Sequence, residues 1–279
     1  MDNPKCEYCG KEYVKNGRSG HGMLTEALRL RVEYSPTCVC IAKIEAEKRL
    51  KEEQLEQKRI QNQQALEEKL AKENARKTIE KYQNMSITGK KFFKSTFENA
   101  DLESYHMKVA NRYAAVFDKL EERKGILFYG DTGVGKTFAC ACIANELMAK
   151  GKCVLVINLG LYIVQLKEEW GKLELEILEA VKNVDLLIID DFGSEQSTDS
   201  SRSWKSEKIY NLIDCAYREE TPVIISTNLR YNENPLNCEI QANFKDRVRS
   251  RIMEMCFPTK ATGKDKRAFT KENFIKMLG

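Results

Sequence analysis

The chain has 279 residues, enough for one full α/β core and something smaller besides. Its 46 basic and 42 acidic side chains leave a formal charge of only +4, too even a balance to argue nucleic-acid binding from net charge, so any such contact has to come from local patches. No apolar run approaches the length of a membrane span, and Met1-Asp2-Asn3-Pro4-Lys5 is unlike a signal peptide, so the expected setting is cytoplasmic, with no membrane partner. The ten cysteines then face a reducing compartment, where metal ligation or burial is favoured over disulfides.

Residues 1–42 contain two close pairs, Cys6-x2-Cys9 and Cys38-x-Cys40. Each pair can give two thiolates to one Zn²⁺, and Gly10 lets the first loop turn tightly. A segment this short builds little core by itself, which makes a metal staple the expected solution. An all-cysteine zinc site is the reading adopted. His21 is an alternative ligand because the second pair has the less usual spacing, and the bland alternative is four reduced cysteines without metal.

From Lys43 to Asn84 there is no Pro or Gly, strong helix formers dominate, and pairs such as Glu45/Arg49 and Glu68/Lys72 recur at helical spacing. The apolar residues Ile44, Leu50, Leu55, Ile60, Leu66, Leu70 and Ile79 keep no heptad. Residues 43–91 are therefore expected to be a charged helical linker, either solvated or docking on a partner protein.

Residues 92–279 read as a globular α/β domain. Nearly unbroken apolar runs at Ile126–Tyr129, Cys153–Asn158, Leu186–Asp190 and Val223–Thr227 alternate with helix-length segments, predicting a parallel sheet with helices on both faces. The first run leads into Gly130-Asp131-Thr132-Gly133-Val134-Gly135-Lys136-Thr137 and then the apolar segment Phe138–Met148. This strand, glycine loop and helix are the arrangement that cradles ATP: backbone N–H groups face the phosphates, Lys136 adds a point charge and the Thr137 hydroxyl ligates Mg²⁺. The third run ends in Asp190-Asp191. Carboxylates at the tip of a buried strand need a partner, and a magnesium–nucleotide complex provides one. Asp190 would hold the metal through water, and Asp191 would orient and deprotonate the attacking water. The fourth run ends in Ser226-Thr227-Asn228, which by itself could simply cap a turn. Beyond it, Phe244–Met253 is a basic segment with Arg247 and Arg251 on one helical face, and Gly263-Lys264-Asp265-Lys266-Arg267 opens the closing segment. A solvated basic face is the bland reading of these arginines.

From about Phe97 onward the chain resembles the AAA+ ATPases, and within them the DnaC/DnaI-like bacterial helicase loaders and their phage relatives. Phe97-Glu98-Asn99-Ala100, Tyr113-Ala114, Gly130–Thr137, Leu186–Gly193, Ser206–Ile213, Ile225–Leu229 and Arg247-x3-Arg251 carry the resemblance. It implies that Asn228 helps position the water, that Arg251 reaches the nucleotide of an adjacent subunit, and that Arg267 contacts the subunit's own nucleotide. It further implies self-association and ATP-driven placement of a hexameric replicative helicase (DnaB-like) on single-stranded DNA. Lys245, Arg247 and Arg249 are candidate DNA contacts only because they are basic and near the expected subunit edge. The N-terminal cysteine segment would grip the helicase, as in DnaI-type loaders. Asp191 stands where most AAA+ ATPases have Glu, which implies slow hydrolysis and keeps a second reading in view, a nucleotide-gated adaptor that barely hydrolyses. A third is a transposition helper of the IstB type, which shares nearly all these motifs.

Overall fold

The computed structural model describes residues 3–15, 34–35, 37–120, 122, 124–169, 171–194, 202–234, 237–244 and 246–265, and divides into two compact units, Met1–Lys72 and Glu73–Gly279. In the first unit, β1 (Val14–Lys15) pairs antiparallel with β2 (Tyr34–Ser35). Ahead of them Lys5 and Glu12 form an antiparallel bridge reinforced by a 3.3 Å ion pair. Cys40 opens α1 (Cys40–Met85), a single helix where the composition predicted one. Exposed pairs at helical spacing line it, including Lys77–Glu73 at 2.8 Å and Arg76–Glu80 at 3.1 Å. Such pairs contribute a few tenths of a kcal/mol each, so the helix rests mainly on residue propensity.

In the second unit the end of α1 is part of the core. Tyr82 and Ile87 are buried, and Ile87 forms a one-residue parallel bridge to the sheet edge: its N–H donates to the Val156 carbonyl (2.8 Å), and its carbonyl accepts from the Asn158 N–H (2.7 Å). The chain continues through α2 (Tyr105–Val116), β3 (Gly125–Tyr129), α3 (Lys136–Ala149), β4 (Val154–Asn158), α4 (Leu159–Glu168), α5 (Lys172–Asn183) and β5 (Leu186–Phe192). It ends with α6 (Arg202–Arg218), β6 (Val223–Thr227), α7 (Glu239–Asn243), α8 (Asp246–Met255) and β7 (Cys256–Lys260). The five strands form one parallel sheet in the order β4-β5-β6-β3-β7.

Side chains alternate between two cores, as the two-residue period of a strand requires. Ile126, Phe128 and Ile188 face α2 and α3, packing with Met107, Ala110, Ile143 and Leu147. Leu127, Leu187 and Ile189 face the other layer, where Tyr162, Ile177, Leu212 and Ile252 bring in α4, α5, α6 and α8. This is the α/β architecture expected, a parallel sheet with helices on both faces. The fifth strand, β7, has no apolar run to announce it. It is an edge strand whose Pro258 lies in register with Leu127, a place where a residue without an N–H is tolerated. Among the described residues no helix is long and apolar enough to cross a membrane.

Candidate nucleotide and metal sites

Strand β3 hands the chain at Tyr129 to the glycine loop, and α3 begins at Lys136, so the free N–H groups of its first turn face that loop. Gly130, Gly133 and Gly135 have φ values of 143°, 84° and 104°, which side-chain-bearing residues rarely adopt. A Cβ at Gly130 would run into the Ala261 carbonyl, and one at Gly133 into the Asp265 carboxylate. Lys136 is buried, and its Nζ donates to the carbonyls of Gly130 (2.9 Å) and Asp131 (2.7 Å) and to Asn228 Oδ1 (2.8 Å). The strand order makes the last contact: β6, carrying Asn228 at its end, lies between the strand of the glycine loop and the strand of the two acids.

Asp190 is 3% exposed, and its Oδ1 accepts from Thr137 Oγ1 (2.8 Å) and Ser226 Oγ (2.5 Å). Burial pushes its carboxyl above the usual carboxylate range, with the Ser226 hydroxyl pulling the other way. A carboxylate and a hydroxyl converging beside a phosphate loop fit a Mg²⁺ ion, a hard cation that takes oxygen ligands. Asp191 is half-buried at a bulge between β5 and β6, with φ of 55°. Its N–H donates to Ser226 Oγ (3.1 Å), and its Oδ2 accepts from Asn158 Nδ2 (3.2 Å). Ser226 thus bridges both acids, bonding the side chain of one and the backbone of the other.

Of the arginines expected to matter, Arg251 is held within its own chain. Arg251 Nη2 pairs with Asp214 Oδ1 at 2.5 Å, and its guanidinium lies 5.0 Å from the Tyr210 ring and 5.2 Å from the Tyr217 ring. These partners are all on α6. Arg249 donates to the Glu233 carbonyl (3.1 Å), and Arg247 is exposed. Arg267, Lys245 and His21 lie outside the described residues, as does most of the serine-rich stretch 194–203.

In the first unit the Sγ atoms of Cys6, Cys9, Cys38 and Cys40 all lie within 4.8 Å of one another. Four thiolates about 2.3 Å from a tetrahedral Zn²⁺ stand about 3.8 Å apart, so the four converge as a zinc site requires. The first pair is shaped by backbone bonds, Gly10 N–H to the Cys6 carbonyl and Cys6 N–H to the Lys11 carbonyl, both 2.8 Å, with Gly10 at φ of 72°. The backbone N–H of Tyr8 is the largest influence bringing the Cys6 thiol down to about 7, burial opposing it; at Cys38 the Cys40 N–H pulls down, but the bond with Cys6 and burial push that thiol up to about 12, so the thiols share one proton network.

Residues 42–267 match the family model described as IstB-like ATP binding protein. The chain belongs to that family. Among its curated relatives is the replicative helicase loader DnaI of Bacillus subtilis (strain 168), 28% identical over 162 residues, covering 54% of this chain and 50% of the relative. The replicative helicase loader DnaC of Escherichia coli (strain K12) is 28% identical over 148 residues, covering 49% of this chain and 58% of the relative. The chain therefore spans about half the length of the curated relatives it matches. A crystal structure of DnaI superposes with a TM-score of 0.52 at 21% identity, covering 63% of this chain and 96% of that one, which shows the shared fold. The crystal structure of the DnaC helicase loader gives 0.51 at 26% identity, covering 62% and 100%.

Within this IstB-like site, Asn158 and Ser226 do work that spacing in the sequence does not single out. Asn158 lies opposite Asp190 in the β4–β5 register, and its Oδ1 caps α4 by accepting the Leu161 N–H at 3.1 Å. Its amide is thereby fixed with the N–H side toward Asp191. Asn158→Ala is expected to lower ATP turnover about tenfold with little change in nucleotide affinity, and to cost about 1 kcal/mol of stability through the lost cap. Steady-state kinetics beside a thermal melt will check it, and unchanged turnover would remove Asn158 from the site.

Proposed function

We propose that the chain is an ATP-driven loader that places a hexameric replicative helicase on single-stranded DNA. The observation that carries this reading is a four-cysteine cluster ahead of an IstB-like domain whose relatives include two helicase loaders. In this reading the amides of residues 130–137 and the Lys136 ammonium bind the phosphates of ATP. Thr137 and Asp190 present oxygens to Mg²⁺, which when bound polarises the terminal phosphate. Asp191, oriented by Asn158, takes the proton of the attacking water, while Asn228 orients Lys136 and the water. Arg251 of a neighbouring copy completes the site, so turnover reports assembly. The cysteine cluster, holding Zn²⁺, folds the first residues into a grip for the helicase.

Two other readings each have an observation behind them. The matching family model is the IstB one, which favours a transposition helper. Asp191 in place of Glu favours a nucleotide-gated adaptor. Co-purification separates them. The full chain, carrying about one Zn²⁺ by elemental analysis, is expected to retain a ring helicase and not a transposase, and Cys6→Ser is expected to lose that retention while still binding ATP. Retention of a transposase instead, or helicase binding undiminished in a zinc-free protein, would overturn the loader reading.

A further inference from the structure

On α6, Tyr210, Asp214, Tyr217 and Arg218 recur at helical spacing and share one face. That face receives Arg251 from α8. The guanidinium is flanked by the rings of Tyr210 and Tyr217 and paired at its edge with Asp214. Its side chain is only 19% exposed, whereas Arg247, one turn earlier, is exposed. An arginine so held cannot touch a neighbouring subunit without leaving this seat. We infer that Asp214, Tyr210 and Tyr217 form a latch that stores Arg251 within its own subunit, and that its release sets the threshold for assembling an active ATP site. The inference rests on the reading of Arg251 as a residue that acts across a subunit boundary.

Two features make the seat one that can be left. The Arg251 Nε is buried without an acceptor, so the stored state leaves a donor unsatisfied that a phosphate could take. Asp214 holds two arginines, its Oδ2 pairing with Arg218 Nε at 2.7 Å, so when Arg251 leaves, the carboxylate keeps a cationic partner. Departure therefore strands no buried charge, the cost that ordinarily makes breaking a partly buried pair prohibitive. The arrangement is lopsided in the sense a switch needs. One partner is replaceable, and the other stays.

The test compares the full-length chain with Asp214→Asn, which keeps the side chain's shape and removes its charge. Specific ATP turnover is measured against protein concentration, with nucleotide affinity and thermal midpoint as controls. Asp214→Asn is expected to lower the concentration at half-maximal turnover by roughly three- to tenfold, the scale of one such ion pair. The gain is expected to vanish when Arg251→Ala is added. If Asp214→Asn leaves that concentration unchanged or raises it while Arg251→Ala alone still abolishes turnover, the latch is wrong and the crossing arginine stands. If Arg251→Ala alone leaves turnover intact, the crossing reading fails and takes the latch with it. Should Asp214→Asn not fold, Tyr217→Leu removes one wall of the seat, leaves the Asp214–Arg218 pair in place, and is held to the same outcomes.

Discussion

Lys136→Ala is expected to lose ATP turnover by roughly 10²–10³-fold, the effect of removing one preorganised charge from a transition state, and to bind ATP more weakly as well. The fold should survive. Lys136 is buried by the loop it serves, and its bonds include those to two carbonyls of that loop and to the exposed Asn228, none of which belongs to either apolar core. Turnover, nucleotide affinity and a thermal melt measured together decide the matter. Wild-type affinity and turnover in a well-folded variant would remove the phosphate-loop assignment.

Arg251→Ala should behave differently if, as proposed, the residue serves a neighbour's nucleotide and not its own. ATP affinity is expected to stay near normal while turnover falls, by as much as the about 10³–10⁵-fold that an arginine finger contributes. Mixing Arg251→Ala with Lys136→Ala chains should restore part of the activity, since some interfaces will join an intact Lys136 site to an intact Arg251. Asp214 keeps Arg218 in the variant, so no stranded carboxylate confuses the result. Weakened ATP binding with no rescue on mixing would place Arg251 in the service of its own subunit.

Much of the motor could be read before any coordinates, for identifiable reasons. The runs 126–129, 153–158, 186–190 and 223–227 each lie within a residue or two of an observed strand, because strands covered on both faces need continuous apolar sequence. The glycine loop was legible because few other tasks require Gly130, Gly135, Lys136 and Thr137 at that spacing. β7 was not, since on an edge strand Phe257 and Lys260 can stay exposed and Pro258 is tolerated. Nor was the stretch around the end of α1: Tyr82 and Ile87 look like incidental apolar residues in a charged stretch until the core takes them in, Ile87 bridging to the edge strand β4. Asn158 was hidden for another reason. Its role comes from register, from lying across from Asp190, and register is a property of two strands that no single segment displays. The seat of Arg251 is likewise tertiary, made by a helix more than thirty residues upstream.

The left-handed backbone at Asp191 also restricts which residues can replace it. Apart from glycine, only asparagine and aspartate visit that conformation routinely, and a β-branched side chain there is a severe outlier. Glutamate would add a methylene and also incur roughly 1–2 kcal/mol of backbone strain, so the longer carboxylate is not reached from here without cost. Asparagine differs: it suits the same φ and cannot accept a proton. The backbone thus admits asparagine more readily than glutamate, and in the proposed mechanism that substitution would give a protein that holds nucleotide without spending it.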